Sequence, residues 1–339
     1  RIPAAGGALY HESACTLGRW HLAAGLRLDV EHTRLRYDSR TVANYTATDR
    51  RTGVSTSLNK PIEVAGRLER TFAELLPRFC VLYAFDEVRN LYLTVSKGYK
   101  AGGFNTQMFS DVLQQEMTAA MGFGRTYDVD DVVTYEPEQS WNYELGGHFS
   151  CMEGAVRGDF ALFWIDCRNQ QLTVFPEGST AGRTRSFGAE AAVRFTPWRN
   201  LGIDTSYGYT DARFVRYDDG QEDFGGNRIP YAPQHTFSAR AVWTLPTGVA
   251  WLGDLVLQAG VRGTGRIWWN EANSLSQPFY ALLDASVRLE HARYSIGLWG
   301  RNLAGTSYDV FYFKSVGNEF VQCGRPRTLG ITLNIHINN

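Results

Sequence analysis

No stretch of the 339-residue chain holds the 18 or more consecutive apolar residues that a membrane-spanning helix needs. A helical membrane protein is therefore excluded, although 44% of the residues are hydrophobic. Lysine is nearly missing, confined to Lys60, Lys97, Lys100 and Lys314, so that arginine carries the basic character. No function follows from that bias, and the base composition of the genome accounts for it. Lys and Arg together number 34 against 35 for Asp and Glu, a net charge of -1 that argues against nucleic acid as a partner. The five cysteines (Cys15, Cys80, Cys151, Cys167, Cys323) are widely spaced, odd in number and without a CxxC pair, which excludes a zinc site and a disulfide framework. The seven histidines include no close pair, so neither haem ligation nor another metal centre is supported. There is no nucleophile elbow, no carboxylate pair at a loop and no phosphate-cradling loop, so neither an enzyme nor a bound cofactor is expected. Asp218-Asp219 with Asp223 has the chemistry of a calcium loop, but a solvated acidic tip explains it better. The chain starts Arg1-Ile2-Pro3, with neither an initiator Met nor a signal peptide, which implies an N-terminus cleaved or missing.

What the sequence does have is alternation. From Thr328 to Ile337, Leu329, Ile331, Leu333, Ile335 and Ile337 occupy every second position, and Thr328, Gly330, Thr332, Asn334 and His336 fill the others. That period of two marks a strand with one apolar and one polar face. Trp20 to Glu31 repeats the pattern, with Trp20, Leu22, Ala24, Leu26, Leu28 and Val30 opposite Arg27, Asp29 and Glu31. Further alternating segments run from Gly7 to Leu17, Phe72 to Asp86, Asn90 to Ala101, Tyr135 to Ser150, Ala155 to Phe175, Arg183 to Pro197 and Leu201 to Arg216. They continue through Gln234 to Leu245, Leu255 to Trp268, Phe279 to Glu290, Tyr294 to Leu303 and Arg325 to Ile337. Short connections alternate with long ones, the long ones including Tyr37 to Arg70 (with strand extensions near Glu63 to Phe72) and Gly102 to Thr134. About 13 strands result, or 14 if the first long segment hides one. Each is near the 9–11 residues of a tilted membrane strand.

Short turns at one end and long loops at the other are the signature of an outer-membrane barrel. Mean hydropathy stays low, at -0.28, because half of every strand faces a polar lumen. The expected fold is thus an all-β, antiparallel transmembrane β-barrel. Charges fall on the inward parity of their strands: Arg27, Asp29, Glu31, Glu144, Glu190, Arg194, Asp204, Arg240, Arg262, Arg266, Asp284 and Arg288. On the lipid side each would cost about 2–4 kcal/mol near the midplane.

Five segments carry a resemblance to a known family. Tyr92 to Asn105 (YLTVSKGYKAGGFN) and Tyr135 to Gly146 (YEPEQSWNYELG) resemble the paired signature of TonB-dependent outer-membrane receptors. Ser206 to Ala212, Asn227 to His235 and Gly300 to Leu303 extend it in the family's order. The pattern is similar to the siderophore-receptor branch, such as the yersiniabactin/pesticin receptor, more than to glycan importers. The resemblance implies a 22-stranded barrel whose lumen is filled by a preceding plug domain. It implies that residues 1–339 are the C-terminal portion of that barrel, with the plug, its TonB-contacting box and roughly the first nine strands absent. It also implies energised uptake of a scarce ligand, most plausibly a ferric siderophore or similar iron chelate. The implied partners are outer-membrane lipid and lipopolysaccharide, TonB-ExbB-ExbD through the absent plug, and a chain supplying the missing strands if the barrel is split. The family's usual terminal aromatic is absent, since the chain ends His336-Ile337-Asn338-Asn339.

Two groups of residues are candidates for ligand contact. On the upper wall, Arg262 and Arg266 with Trp268 offer planar multidentate hydrogen bonding to an anionic chelate. On the loops, Arg125, Tyr127, Trp268, Trp269, Phe311 and Tyr312 mix aromatic and basic groups where extracellular tips belong. Against them stand plug-holding charges and loop-packing aromatics, which are commoner. Two other function classes remain open: a plugless passive channel or structural subunit, which the lack of an upstream plug would mark, and a soluble β-sandwich adhesin, which would extract without detergent.

Overall fold

The computed structural model describes residues 2–49, 51–122, 128–173, 178–218, 222–315 and 318–335. Thirteen strands form one antiparallel sheet in which every strand pairs with its neighbours in chain order. They are β1 Ala4–Leu17, β2 Trp20–Thr48, β3 Ser55–Ala84, β4 Asn90–Lys100, β5 Glu138–Cys151, β6 Val156–Thr173 and β7 Gly178–Trp198. The sheet continues with β8 Leu201–Arg216, β9 His235–Pro246, β10 Asp254–Thr264, β11 Tyr280–Glu290, β12 Tyr294–Arg301 and β13 Thr328–Ile335.

The short connections need turn chemistry. In the two-residue link between Leu17 and Trp20, Gly18 takes φ 62°, which only glycine adopts freely. Between β3 and β4, the Asp86 carboxylate accepts the amides of Val88 (3.0 Å) and Arg89 (2.8 Å). The hydrogen bond from the Arg89 guanidinium, then the amide bonds, hold that carboxyl below its ordinary range.

Apolar side chains ring the outside in rows that the register defines. One row passes Leu93, Leu145 and Leu162, and the next passes Val95, Tyr143, Trp164 and Phe187. Leu26, Leu28, Leu75, Phe79, Leu93, Leu162, Leu298, Ile331 and Leu333 are all exposed. A contiguous apolar face of this extent exceeds what a water-soluble monomer shows, and it fits a lipid contact. The inner face carries ion pairs such as Arg194–Asp204 and Arg262–Asp284.

Two long connections differ from the sequence expectation. Tyr37 to Arg70 is not a loop: β2 and β3 pair without a break from Trp20↔Tyr83 to Thr48↔Ser55. Strands of 29 and 30 residues are about three times what the bilayer needs, so the hairpin rises far beyond it. Gly102 to Thr134, expected as an irregular loop, folds into α1 Phe109–Ala120 and the short α2 Val129–Val133. The two departures explain each other. Leu35, Ala43, Ile62 and Val64 on one face of the hairpin bury against Phe104, Val112 and Val133 from the helical segment. The Tyr45 hydroxyl donates to the Ala120 carbonyl at 3.3 Å, and Arg70 pairs with Asp130. The hairpin's alternation is weak by sequence because its apolar face is satisfied by helices rather than by lipid.

A further hairpin, Asp309–Ser315 with Asn318–Cys323, stands in the last long connection. The strand expected from Leu255 to Trp268 ends at Thr264, and Ile267–Trp268 pairs separately with Ser276–Gln277. Among the described residues nothing pairs with the outer edge of β1 or of β13, so the sheet is a curved, open wall.

Candidate functional site

On the concave side, charged residues of neighbouring strands neutralise one another across the sheet. Asp204 of β8 accepts from Arg194 of β7 (2.6 Å) and from Arg240 of β9 (3.0 Å). Three strands further on, Asp284 of β11 accepts from Arg262 of β10 (2.9 Å) and from the backbone amide of Asn302 (2.9 Å). Arg288 pairs with Glu290 at 2.6 Å, and Tyr92 donates to Glu144 at 2.9 Å. Arg194, Asp204, Arg240, Arg262 and Asp284 line a concavity of about 980 Å³. Exposed pairs of this kind contribute little to stability, so their main effect is to keep an inner wall polar and hydrated.

Above the long-connection end of β8 to β12, three loops are tied into one assembly. Asp211, buried at the top of β8, accepts from Arg213 (3.0 Å) and from Arg228 (2.7 Å) of the following loop. That loop packs Phe214, Tyr217, Phe224 and Ile229 together. Asn273 joins it to the next loop, accepting from the Arg228 amide (2.7 Å) and donating to the Arg228 carbonyl (2.9 Å). Asn302 holds the third, donating to the carbonyls of Thr306 (2.8 Å) and Arg325 (3.1 Å).

Tyr231 is the keystone of the assembly. Its amide donates to the Trp268 carbonyl (2.9 Å) and its hydroxyl to the Tyr312 carbonyl (2.5 Å). Its ring lies 5.3 Å from that of Trp269 and 5.7 Å from that of Phe311, centroid to centroid. It sits at φ 62°, left-handed backbone that a bulky residue adopts only when its surroundings enforce it. Burial raises the Tyr231 phenol above its ordinary pKa, so it stays a neutral donor.

The expected contact residues therefore separate. Arg262 belongs to the wall, its charge balanced by Asp284. Arg266 lies past the strand end with its guanidinium over the Trp268 ring at 5.3 Å, and it is exposed. Trp269 and Tyr312 are both buried at 8% exposure and hold the loops together, leaving them little surface for a ligand. Phe311 is 40% exposed and continues through Phe313 to Phe320 as an aromatic strip. Arg125 and Tyr127 lie outside the described residues. Missed by sequence reasoning were Tyr231, Asn273 and Asn302. Tyr231 and Asn302 lie within segments conspicuous on other grounds, Asn227 to His235 and Gly300 to Leu303, whereas nothing in the pattern around Asn273 marks it.

Comparison with known proteins adds to this geometry. Residues 5–303 match the family of TonB-dependent receptor-like β-barrels. The chain is 29% identical over 193 residues to the ferrichrome outer membrane transporter/phage receptor of Escherichia coli (strain K12), covering 55% of this chain and 25% of that protein. It is 26% identical over 239 residues to the ferrioxamine receptor of Yersinia enterocolitica, covering 70% of this chain and 28% of that protein. The crystal structure of the ferric yersiniabactin uptake receptor FyuA from Yersinia pestis superposes with a TM-score of 0.75 at 20% identity, over 98% of this chain and 46% of that one. The chain thus spans less than half the length of each.

Proposed function

Because the chain belongs to the family of TonB-dependent receptor-like β-barrels, we propose that it forms the C-terminal part of an outer-membrane receptor that imports a ferric siderophore or similar iron chelate. It resides in the outer membrane of a Gram-negative bacterium. The observation that carries the reading is the combination of a lipid-compatible outer face, a charge-lined concavity and an ordered aromatic loop assembly above it. The named cargoes of the two sequence relatives are iron chelates, which favours that class.

An open sheet edge does not persist in hydrocarbon, where each unpaired backbone group costs several kcal/mol. The free edges of β1 and β13 therefore require further strands, on this polypeptide or another, and those strands with a plug would complete the receptor. The exposed side chains of Arg266 and Phe311 and the half-buried Trp268, with Tyr231 between the last two loops, form the outer contact surface for the chelate; Arg262 lies below them on the wall. TonB-ExbB-ExbD would supply the energy through the plug.

The test is uptake of radiolabelled iron from ferric hydroxamates by cells with and without the intact gene. Uptake that requires the gene and stops when a protonophore collapses the membrane potential is the expected result. Gene-dependent uptake that persists with the protonophore would mark a passive channel and overturn the proposal, as would no gene-dependent uptake across a panel of ferric chelates.

Within this reading, Arg262→Gln with Arg266→Gln is expected to weaken uptake about tenfold at low chelate concentration, with surface display unchanged. Arg266→Gln alone should account for most of that, since Arg262 is already neutralised by Asp284. Uptake unaffected in the double variant would remove both from the contact surface.

A further inference from the structure

The hairpin of β2 and β3 outgrows the sheet on both sides. β1 pairs with β2 only as far as Ala4↔Thr33, and β4 with β3 only as far as Arg78↔Ser96. Beyond those points the two strands form a ribbon that packs one face on α1 and whose edges meet no other strand among the described residues. A ribbon of two strands is marginal by itself, and a free edge is a template for a further strand.

The two edges are not alike. The Arg34 amide donates to the Pro3 carbonyl at 3.1 Å, away from β3. Backbone direction alternates along a strand, and β2 pairs with β3 without a register shift, so every second residue from Arg36 to Thr48 turns its N–H and C=O outward too. These groups run for roughly 40 Å and have no backbone partner among the described residues. On β3 the residue opposite an outward-turned one is itself turned outward. Pro61, opposite Val42, therefore leaves a gap in the donors of that edge, and Glu63, Arg67 and Glu69 charge it. Proline and charge are what natural sheets use to keep strands off an edge. From Thr41 to Thr48, β2 has neither.

Arg36 sets the charge that an added strand must carry. It is exposed, stands opposite Arg67, and has no carboxylate within 4.0 Å among the described residues. The acids of that face are taken: Glu69 pairs with Arg34 (2.7 Å) and with Arg67, and Asp38 pairs with Arg40 (2.9 Å).

We propose that the outer edge of β2, residues 36–48, captures an extended segment of a partner polypeptide as a third strand, a segment free of proline and uncharged apart from an acidic residue set beside Arg36. Main-chain hydrogen bonds supply the affinity, and the residue opposite Arg36 supplies selectivity. A second copy of this chain does not fit. Two copies in one membrane point the same way, so their β2 edges would meet in parallel and bring Arg34, Arg36 and Arg40 each level with its own counterpart. The inference goes beyond iron uptake and rests on the outer-membrane reading for the ribbon's place outside the cell.

The experiment measures binding of a short fluorescent peptide, alternating threonine and valine with a central glutamate, to the full chain purified in detergent after heat-modifiable migration has shown a folded barrel. Two control peptides carry N-methyl groups on every second amide, or lysine in place of glutamate. Two variants accompany the parent. Asn44→Pro removes an outward donor and leaves the β2–β3 ladder in place, as Pro61 already does on the other strand; Arg36→Glu reverses the charge. The parent is expected to bind the glutamate peptide about tenfold tighter than either control, Asn44→Pro to bind it about tenfold more weakly, and Arg36→Glu to prefer the lysine peptide. No binding by the folded parent would overturn the proposal, and so would equal binding of the N-methylated peptide, undiminished binding by Asn44→Pro or an unchanged preference in Arg36→Glu. A parent dimer that Asn44→Pro dissociates would give the edge to a second copy and overturn it as well. Failure of these tests on folded protein leaves iron uptake untouched, whereas absent chelate uptake with peptide binding intact sinks the proposed function alone.

Discussion

Arginine at Ile331 is expected to abolish assembly of the barrel. Ile331 is 70% exposed on the outward parity of β13, between Leu329 and Leu333, and it stands opposite Leu298 of β12, itself 59% exposed. Apolar side chains this exposed on one face of a sheet are built for hydrocarbon rather than water. A charge there costs about 2–4 kcal/mol near the bilayer midplane, a large share of the stability of a typical domain. One position along, Thr332 faces the opposite way, its hydroxyl accepting from the Trp299 indole at 3.0 Å. Thr332→Arg places the same charge on the polar face and is expected to assemble. The measurement is heat-modifiable mobility of the outer-membrane fraction for both variants. If Ile331→Arg assembled and Thr332→Arg did not, the inside and outside of the wall would be exchanged. If both assembled, the outer face would not be in lipid at all.

Removing the Tyr231 ring should loosen the extracellular loops while leaving the wall intact. The ring is packed between Trp269 and Phe311, and the hydroxyl fixes the hairpin that carries Tyr312. Full truncation of a buried aromatic costs about 3–5 kcal/mol. Tyr231 is 41% exposed, so about half of that, roughly 2 kcal/mol, is expected for Tyr231→Ala. If chelate binding requires the ordered loops, that loss appears as about a thirtyfold weaker affinity. Tyr231→Phe keeps the stacking and loses one hydrogen bond, about 1 kcal/mol, so its effect is expected to be several-fold. Equilibrium binding of a ferric chelate to purified protein checks both. Unchanged affinity for Tyr231→Ala would show that the loop assembly is a scaffold without a part in recognition. Because Tyr231 lies in the connection between β8 and β9 rather than in a wall strand, heat-modifiable migration should be unaltered in either variant.

The two predictions differ in where their information comes from. That Ile331 faces outward is visible in the chain itself, because a period of two leaves only two faces and the charges of neighbouring strands fix which one is polar. Arg27, Asp29 and Glu31 in one strand and Arg194, Asp204 and Arg240 in others settle the inside before any coordinate is known. Tyr231 is different. It lies within the quoted segment Asn227 to His235, yet nothing in the spacing says that its ring meets Trp269 and Phe311, because those contacts join residues 38 and 80 positions apart. The same holds for Asn273, whose role is to bridge two loops, and for the pairing of Arg262 with Asp284.

Amino-acid pattern by itself determined the class of structure, the parity of the strand faces and the number of wall strands to within one. These follow from local rules: strand periodicity, turn residues and the expense of a charge in lipid. The Tyr37 to Arg70 segment shows where such rules stop. Its apolar residues are sparse, so it reads as a loop, and only the helix of residues 109–120 packing on Leu35, Ile62 and Val64 makes a hairpin of it. Tertiary structure alone decided which charges neutralise one another, and which aromatics are scaffold and which are surface. Each of those depends on register between segments distant in sequence, and register is fixed by the sum of all cross-strand contacts rather than by any one segment.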